Sequence, residues 1–146
     1  MYQRILICTD GSPLSDKAIQ SGIALAAGLD AEIVAFIVVD FYPQTYFEGA
    51  IALTSKEVQA IENQWREKAQ GLLDDVQKLA HARDVKTTTV VGQGLVSDAI
   101  IKAAKKHKCD LIVMASHGRK GVARVLLGSE TLAVLTHSTL PVLVLR

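Results

Sequence analysis

A chain of 146 residues has the usual size of one domain, and we expect it to fold as a single domain over 1–146 without a metal or disulfide staple. Sixteen Lys and Arg stand against 15 Asp and Glu, a formal net charge of +1, which excludes a nucleic-acid binder that relies on a broad basic face. Hydrophobic residues make up 49% of the chain, yet no apolar run approaches the roughly 20 residues that cross a bilayer.

The N-terminal Met1-Tyr2-Gln3-Arg4-Ile5 enters a strand-like run at once and offers no signal peptide, so a cytoplasmic location is expected. Residues 5–8, Ile-Leu-Ile-Cys, form the first apolar run. Ser12-Pro13 follows as a helix N-cap with proline at the first helical position. Leu14, Ala18, Gly22, Leu25 and Leu29 then recur at helical spacing, with Gly28 placed to end the helix. A second strand is predicted over 33–39. The connection 41–53 is the one long loop and holds four of the seven aromatics, Phe41, Tyr42, Tyr46 and Phe47. It reads equally as a functional lid or as an apolar flap resting on the sheet.

Thr54 and Glu57 make a capping box for a long helix through about Ala82. Residues 85–91, rich in β-branched side chains, form a strand nearer the sheet edge. A third helix spans 96–107, with Ile100, Ala103 and Ala104 inward. A fourth strand covers 111–114, a short helix Ser129–His137, and a last strand 141–145. Cys8 and Cys109 lie about four residues of parallel strand rise apart, on the order of 13 Å. A disulfide needs Cα atoms within about 7 Å, so both are expected to be reduced. His107 and Cys109 are too isolated for zinc, and no metal site is predicted.

The continuous apolar runs fit strands covered on both faces. The alternating order then predicts a doubly wound, five-stranded parallel sheet with helices on both faces. In such sheets ligands bind beyond the carboxyl ends of the strands. The segments leaving those ends are 9–12 (Thr-Asp-Gly-Ser), Val39-Asp40, 92–94 (Gly-Gln-Gly) and 115–118 (Ala-Ser-His-Gly). The last is the richest, because Gly118 and then Gly128-Ser129 precede a helix whose N-terminal amides favour a phosphate. Ser129 is placed to cap that helix. Two readings stand side by side: a phosphate cradle, or a glycine-rich connection with an ordinary serine cap. Asp10 likewise reads as a ligand contact or as a turn residue before Ser12-Pro13. His117 is the one histidine in this region, while His81, His107 and His137 sit at predicted helix C-termini. The run 92–97, Gly-Gln-Gly-Leu-Val-Ser, mimics a dinucleotide fingerprint but ends in Ser97 and follows the third strand.

With Asp10 closing the first strand, Gly118 followed by nine residues and then Gly128-Ser129, and the terminal Pro-Val-Leu-Val-Leu, the chain resembles the universal stress protein family over essentially all 146 residues. The resemblance implies a Rossmann-like, adenine nucleotide alpha hydrolase-like fold. It also implies ATP or AMP, with Mg as a companion ion, bound as a regulatory ligand in stress response. By resemblance, Asp10, with Thr9 and Ser12, meets the ribose or adenine side, and the backbone of Val38 pairs with the adenine edge. Gly118, Gly128 and Ser129 cradle the phosphates, with Ala115, Ser116, His117 and Glu130 beside them.

One position departs from the ATP-binding branch, which carries a glycine three residues before the equivalent of Gly118; here it is Ala115. Its methyl restricts positive φ and is expected to weaken binding unless the backbone there has negative φ. Two other functions compete: an interaction module of the same family that binds no nucleotide, and a weak ATP-hydrolysing or adenylyl-transferring enzyme. The enzyme ranks last because no base accompanies Asp10. The apolar last strand, at an edge, is expected to join two copies into a homodimer.

Overall fold

The computed structural model describes residues 1–39, 54–118 and 127–146. The elements run β1 (Arg4–Cys8), α1 (Pro13–Leu29), β2 (Glu32–Val39), α2 (Ser55–His81), β3 (Thr87–Gln93), α3 (Val96–Lys106), β4 (Leu111–Ala115), α4 (Ser129–His137) and β5 (Val142–Leu145). The strands pair in the order β3-β2-β1-β4-β5, and every pairing is parallel. The chain is therefore an α/β protein with a doubly wound parallel sheet.

Two apolar layers hold the sheet. On one face Ile5, Ile7, Ile33, Ala35 and Val113 pack against Ala18, Ile23 and Ala26 of α1 and Leu73 and Val76 of α2. On the other, Leu6, Val34, Phe36, Ile112 and Met114 pack against Ile100 and Ala104 of α3 and Val134 of α4. Successive strand residues alternate between these layers, which is why the central strands read as unbroken apolar runs. Burying one such side chain contributes about 1.5–3 kcal/mol.

Local signals explain the helix starts. Ser12 accepts from the Ser15 N–H at 3.2 Å and Pro13 opens α1. At α2, the Glu57 N–H donates to the Thr54 hydroxyl at 3.3 Å and the Glu57 carboxylate accepts from the Thr54 N–H at 2.6 Å. The end of α1 differs from expectation. The helix runs through Gly28 to Leu29 and closes on Asp30 in the left-handed region at φ 54°. Asp tolerates that conformation better than most residues because its short polar side chain can hydrogen-bond to the nearby backbone. Leu29 is accordingly exposed, and Ile19 and Ile23 take the buried positions. β3 starts two residues later than the apolar run and ends at Gln93, fixed by its register of Ile33 opposite Thr87. The aromatic 41–53 loop lies outside the described residues. Both thiols are free, and both are buried.

The strand order reverses between β1 and β4. Their C-terminal ends separate there, because β1 continues to α1 on one face and β4 leads to α4 on the other. That gap positions the site.

Candidate functional site

At the end of β1 the Thr9 N–H still donates to the Phe36 carbonyl at 3.0 Å. The chain then turns sharply, with Gly11 at φ 75°. Asp10 accepts the Ser12 N–H on Oδ1 at 2.9 Å, and the Thr9 hydroxyl accepts the Gly11 N–H at 3.1 Å. Ser15 donates its hydroxyl to the Ser12 carbonyl at 2.8 Å and lies 3.0 Å from the Thr9 hydroxyl. Thr9 therefore gives its proton to Ser15 and offers only acceptor capacity to anything beyond.

The end of β4 is held as firmly. The Ser116 N–H donates to the Leu145 carbonyl at 2.7 Å, and the Ser116 carbonyl accepts from the Gly128 N–H at 2.7 Å. Thr131 donates its hydroxyl to the Ala115 carbonyl at 3.0 Å. The start of α4 is thus tied to the end of β4. The Ser116 hydroxyl and His117 Nδ1 lie 3.2 Å apart.

These two ends and the first turn of α3 surround a cavity of about 420 Å³, within the usual size of small-molecule sites. One half is apolar: Cys8, Phe36, Val38, Val96, Ile100 and Met114. The other carries Thr9, Asp10, Ser15, His117, Gly118, Gly128, Ser129, Glu130 and Thr131, with Ala115 between. The glycines matter here for space. A Cβ on Gly118 would run into the Asp10 carboxylate, and one on Gly128 would come within 3.2 Å of the Ser116 carbonyl and 3.3 Å of His117 Cα.

Nine of the eleven residues singled out from sequence line the cavity: Thr9, Asp10, Val38, Ala115, His117, Gly118, Gly128, Ser129 and Glu130. Ser12 and Ser116 lie behind it, buried as cap and brace. Asp10 makes the turn bond through Oδ1 and also lines the cavity. Val38 stands past the end of β1, whose ladder stops at Cys8 opposite Phe36. Peptide groups facing one neighbour recur every second residue, so those of Val38 face the side that β1 has vacated.

One expectation changes, and two further positions gain a structural setting. Gly128, at φ −61° and ψ 154°, is the N-cap of α4, so Ser129 is the first helical residue and does not cap it. Ala115 lies within β4 and outside the positive-φ residues, so its methyl imposes no backbone restriction. Glu130 reaches across to α3, accepting the Ser97 N–H at 3.0 Å. This puts a carboxylate at the N-terminus of a helix that has no side-chain cap of its own.

The run 92–97 forms the exit from β3, with Gly94 at φ 97° turning the chain into α3. Sequence reasoning missed Cys8, Phe36, Met114, Val96, Ile100, Ser15 and Thr131 as cavity residues. Cys8 and Phe36 each lie two residues before a singled-out position, so counting back along one strand face would have found them. The α3 pair depends on tertiary packing. Burial pushes the Cys8 thiol above its ordinary pKa, with Cys109 adding to the effect, and burial pushes Cys109 up to about 11 despite the opposing Arg4. Neither is a thiolate at neutral pH. No group of three or more His, Cys, Asp or Glu among the described residues is placed to hold a metal.

Comparison with known proteins places this geometry. The model of the universal stress protein family matches residues 1–146. Universal stress protein MJ0531 of Methanocaldococcus jannaschii is 38% identical over 146 residues, covering 100% of this chain and 83% of that protein. The solved structure of protein MJ0577 is 27% identical with a TM-score of 0.85, covering 99% of this chain and 96% of that one. A universal stress protein solved in complex with cAMP shares the fold at a TM-score of 0.71 and 23% identity, covering 99% of this chain and 97% of that one. The chain belongs to the universal stress protein family.

Proposed function

We propose that this protein binds an adenine nucleotide, ATP or AMP, as a regulatory ligand, without turning it over. The observation that carries the reading is the division of the switch-point cavity. Its apolar half fits a flat base, and its polar half ends at the N-terminus of α4, which has no side-chain cap, beside Gly118 and Gly128, where a Cβ would press on the Asp10 carboxylate and the Ser116 carbonyl. Such a helix start favours a phosphate. Val38 offers peptide groups to the base edge, and Asp10 an acidic acceptor to ribose hydroxyls. The cAMP complex of a relative supports an adenine nucleotide as the ligand class.

Binding without catalysis is the simpler role. Asp10 spends one oxygen on Ser12, Glu130 caps α3, and His117 lies beside the Ser116 hydroxyl. A general base needs a free lone pair aimed at the reacting atom. Mass spectrometry of small molecules released on denaturing gently purified protein tests the reading. An adenine nucleotide at near-stoichiometric yield is expected. Protein that releases none and takes up none on incubation would contradict it.

A further inference from the structure

Gly92 of β3 is not part of the cavity wall, yet it governs the residue that is. Val38 and Gly92 are paired in register, and the Phe36 ring leans from two residues back onto the bare Cα at 92. A Cβ there would collide with the ring, meeting Cε2 at 2.7 Å and Cζ closer still. Phe36 is only 2% exposed and packs in the layer under α3. The ring therefore cannot escape outward. Close-packed side chains surround it on the core side. The space open to it is the cavity that it already lines with Ile100 and Met114.

We infer that Gly92 is a positioning residue for ligand recognition: by leaving room for the Phe36 ring against β3, it keeps the apolar half of the cavity open for a flat heteroaromatic base. This rests on the nucleotide reading and extends it. It also gives a role to the first glycine of the run 92–94. Gly94 turns the chain, and Gly92 withdraws a wall.

The experiment compares the parent, Gly92→Ala, and the double variant Gly92→Ala with Phe36→Leu, each titrated with AMP and with ribose 5-phosphate, which lacks the base. Overpacking at one buried position is expected to weaken AMP binding by about tenfold. Binding of ribose 5-phosphate should stay unchanged. The double variant, with a side chain that clears the added methyl, should regain much of the lost AMP affinity. A ligand-free crystal structure of Gly92→Ala should show the ring shifted into the cavity. Unchanged AMP affinity, an equal loss for both ligands, or a ring still in its original place would overturn the inference. If the parent bound AMP no better than ribose 5-phosphate, the nucleotide reading itself would fall, whereas the ring position would still report on Gly92 by itself.

Discussion

Gly128 is the residue through which the proposed phosphate end of the site is tied to β4. Its Cβ position lies 3.2 Å from a carbonyl that Gly128 also bonds through its own N–H. Gly128→Val therefore forces the start of α4 away from β4. One or two lost charge-assisted bonds should weaken AMP and ATP binding more than about tenfold, as titration would read. Ala115→Gly, by contrast, should leave affinity unchanged, because Ala115 sits in extended strand backbone with no need of positive φ. A tighter Ala115→Gly variant would mean that the methyl obstructs the ligand directly. Glu130 adds a negative charge at the cavity rim. Glu130→Gln keeps an acceptor for the Ser97 N–H and removes that charge, so the ratio of ATP to AMP affinity should rise, most clearly at low ionic strength.

The cap of α2 carries a separate consequence, because Thr54 and Glu57 are not among the residues that line the cavity. Thr54→Ala removes the hydroxyl that accepts from the Glu57 N–H, while the backbone bond to the Glu57 carboxylate remains, and should cost about 1 kcal/mol in denaturant unfolding, with ligand affinity intact. At the opposite end of the sheet, Lys86 and Arg4 beside Glu32 hold its carboxyl below the usual carboxylate range. A depressed folded-state pKa gives stability that is present above the unfolded value and lost as pH falls through the folded one. The urea midpoint should therefore drop on acidification, and Glu32→Gln should flatten that drop.

These elements were the part most legible in sequence. Ser12-Pro13, Thr54 with Glu57, and the continuous runs of β2 and β4 each combine a local signal with a strong pattern. The end of α1 was misread because Asp30 accepted the left-handed role that Gly28 was expected to take. The polar half of the site was legible because glycine, aspartate and serine at strand ends announce themselves. The apolar half was not, because Phe36, Met114 and Ile100 are ordinary core residues until the fold leaves a void beside them.

At the scale of the molecule, β5 is the outer strand of the sheet, and its Leu143 is 39% exposed. An apolar edge with unpaired peptide groups favours association with a second copy related by a two-fold axis. Light scattering at micromolar concentration should give twice the 15.7 kDa chain mass, and Val144→Lys should shift the protein toward monomer. A parent mass equal to one chain would refute the homodimer. The two sites of such a dimer would each lie within one chain, since the described walls of the cavity come from the ends of β1, β2 and β4 and the starts of α3 and α4. The central claim is that the gap between those two strands takes an adenine nucleotide by its base and its phosphate together. Calorimetric titration of nucleotide-free protein with AMP, ribose 5-phosphate and adenine tests it most directly. The account predicts saturable binding of AMP at one per chain, tighter than either fragment, whereas AMP that binds no better than its fragments would contradict it.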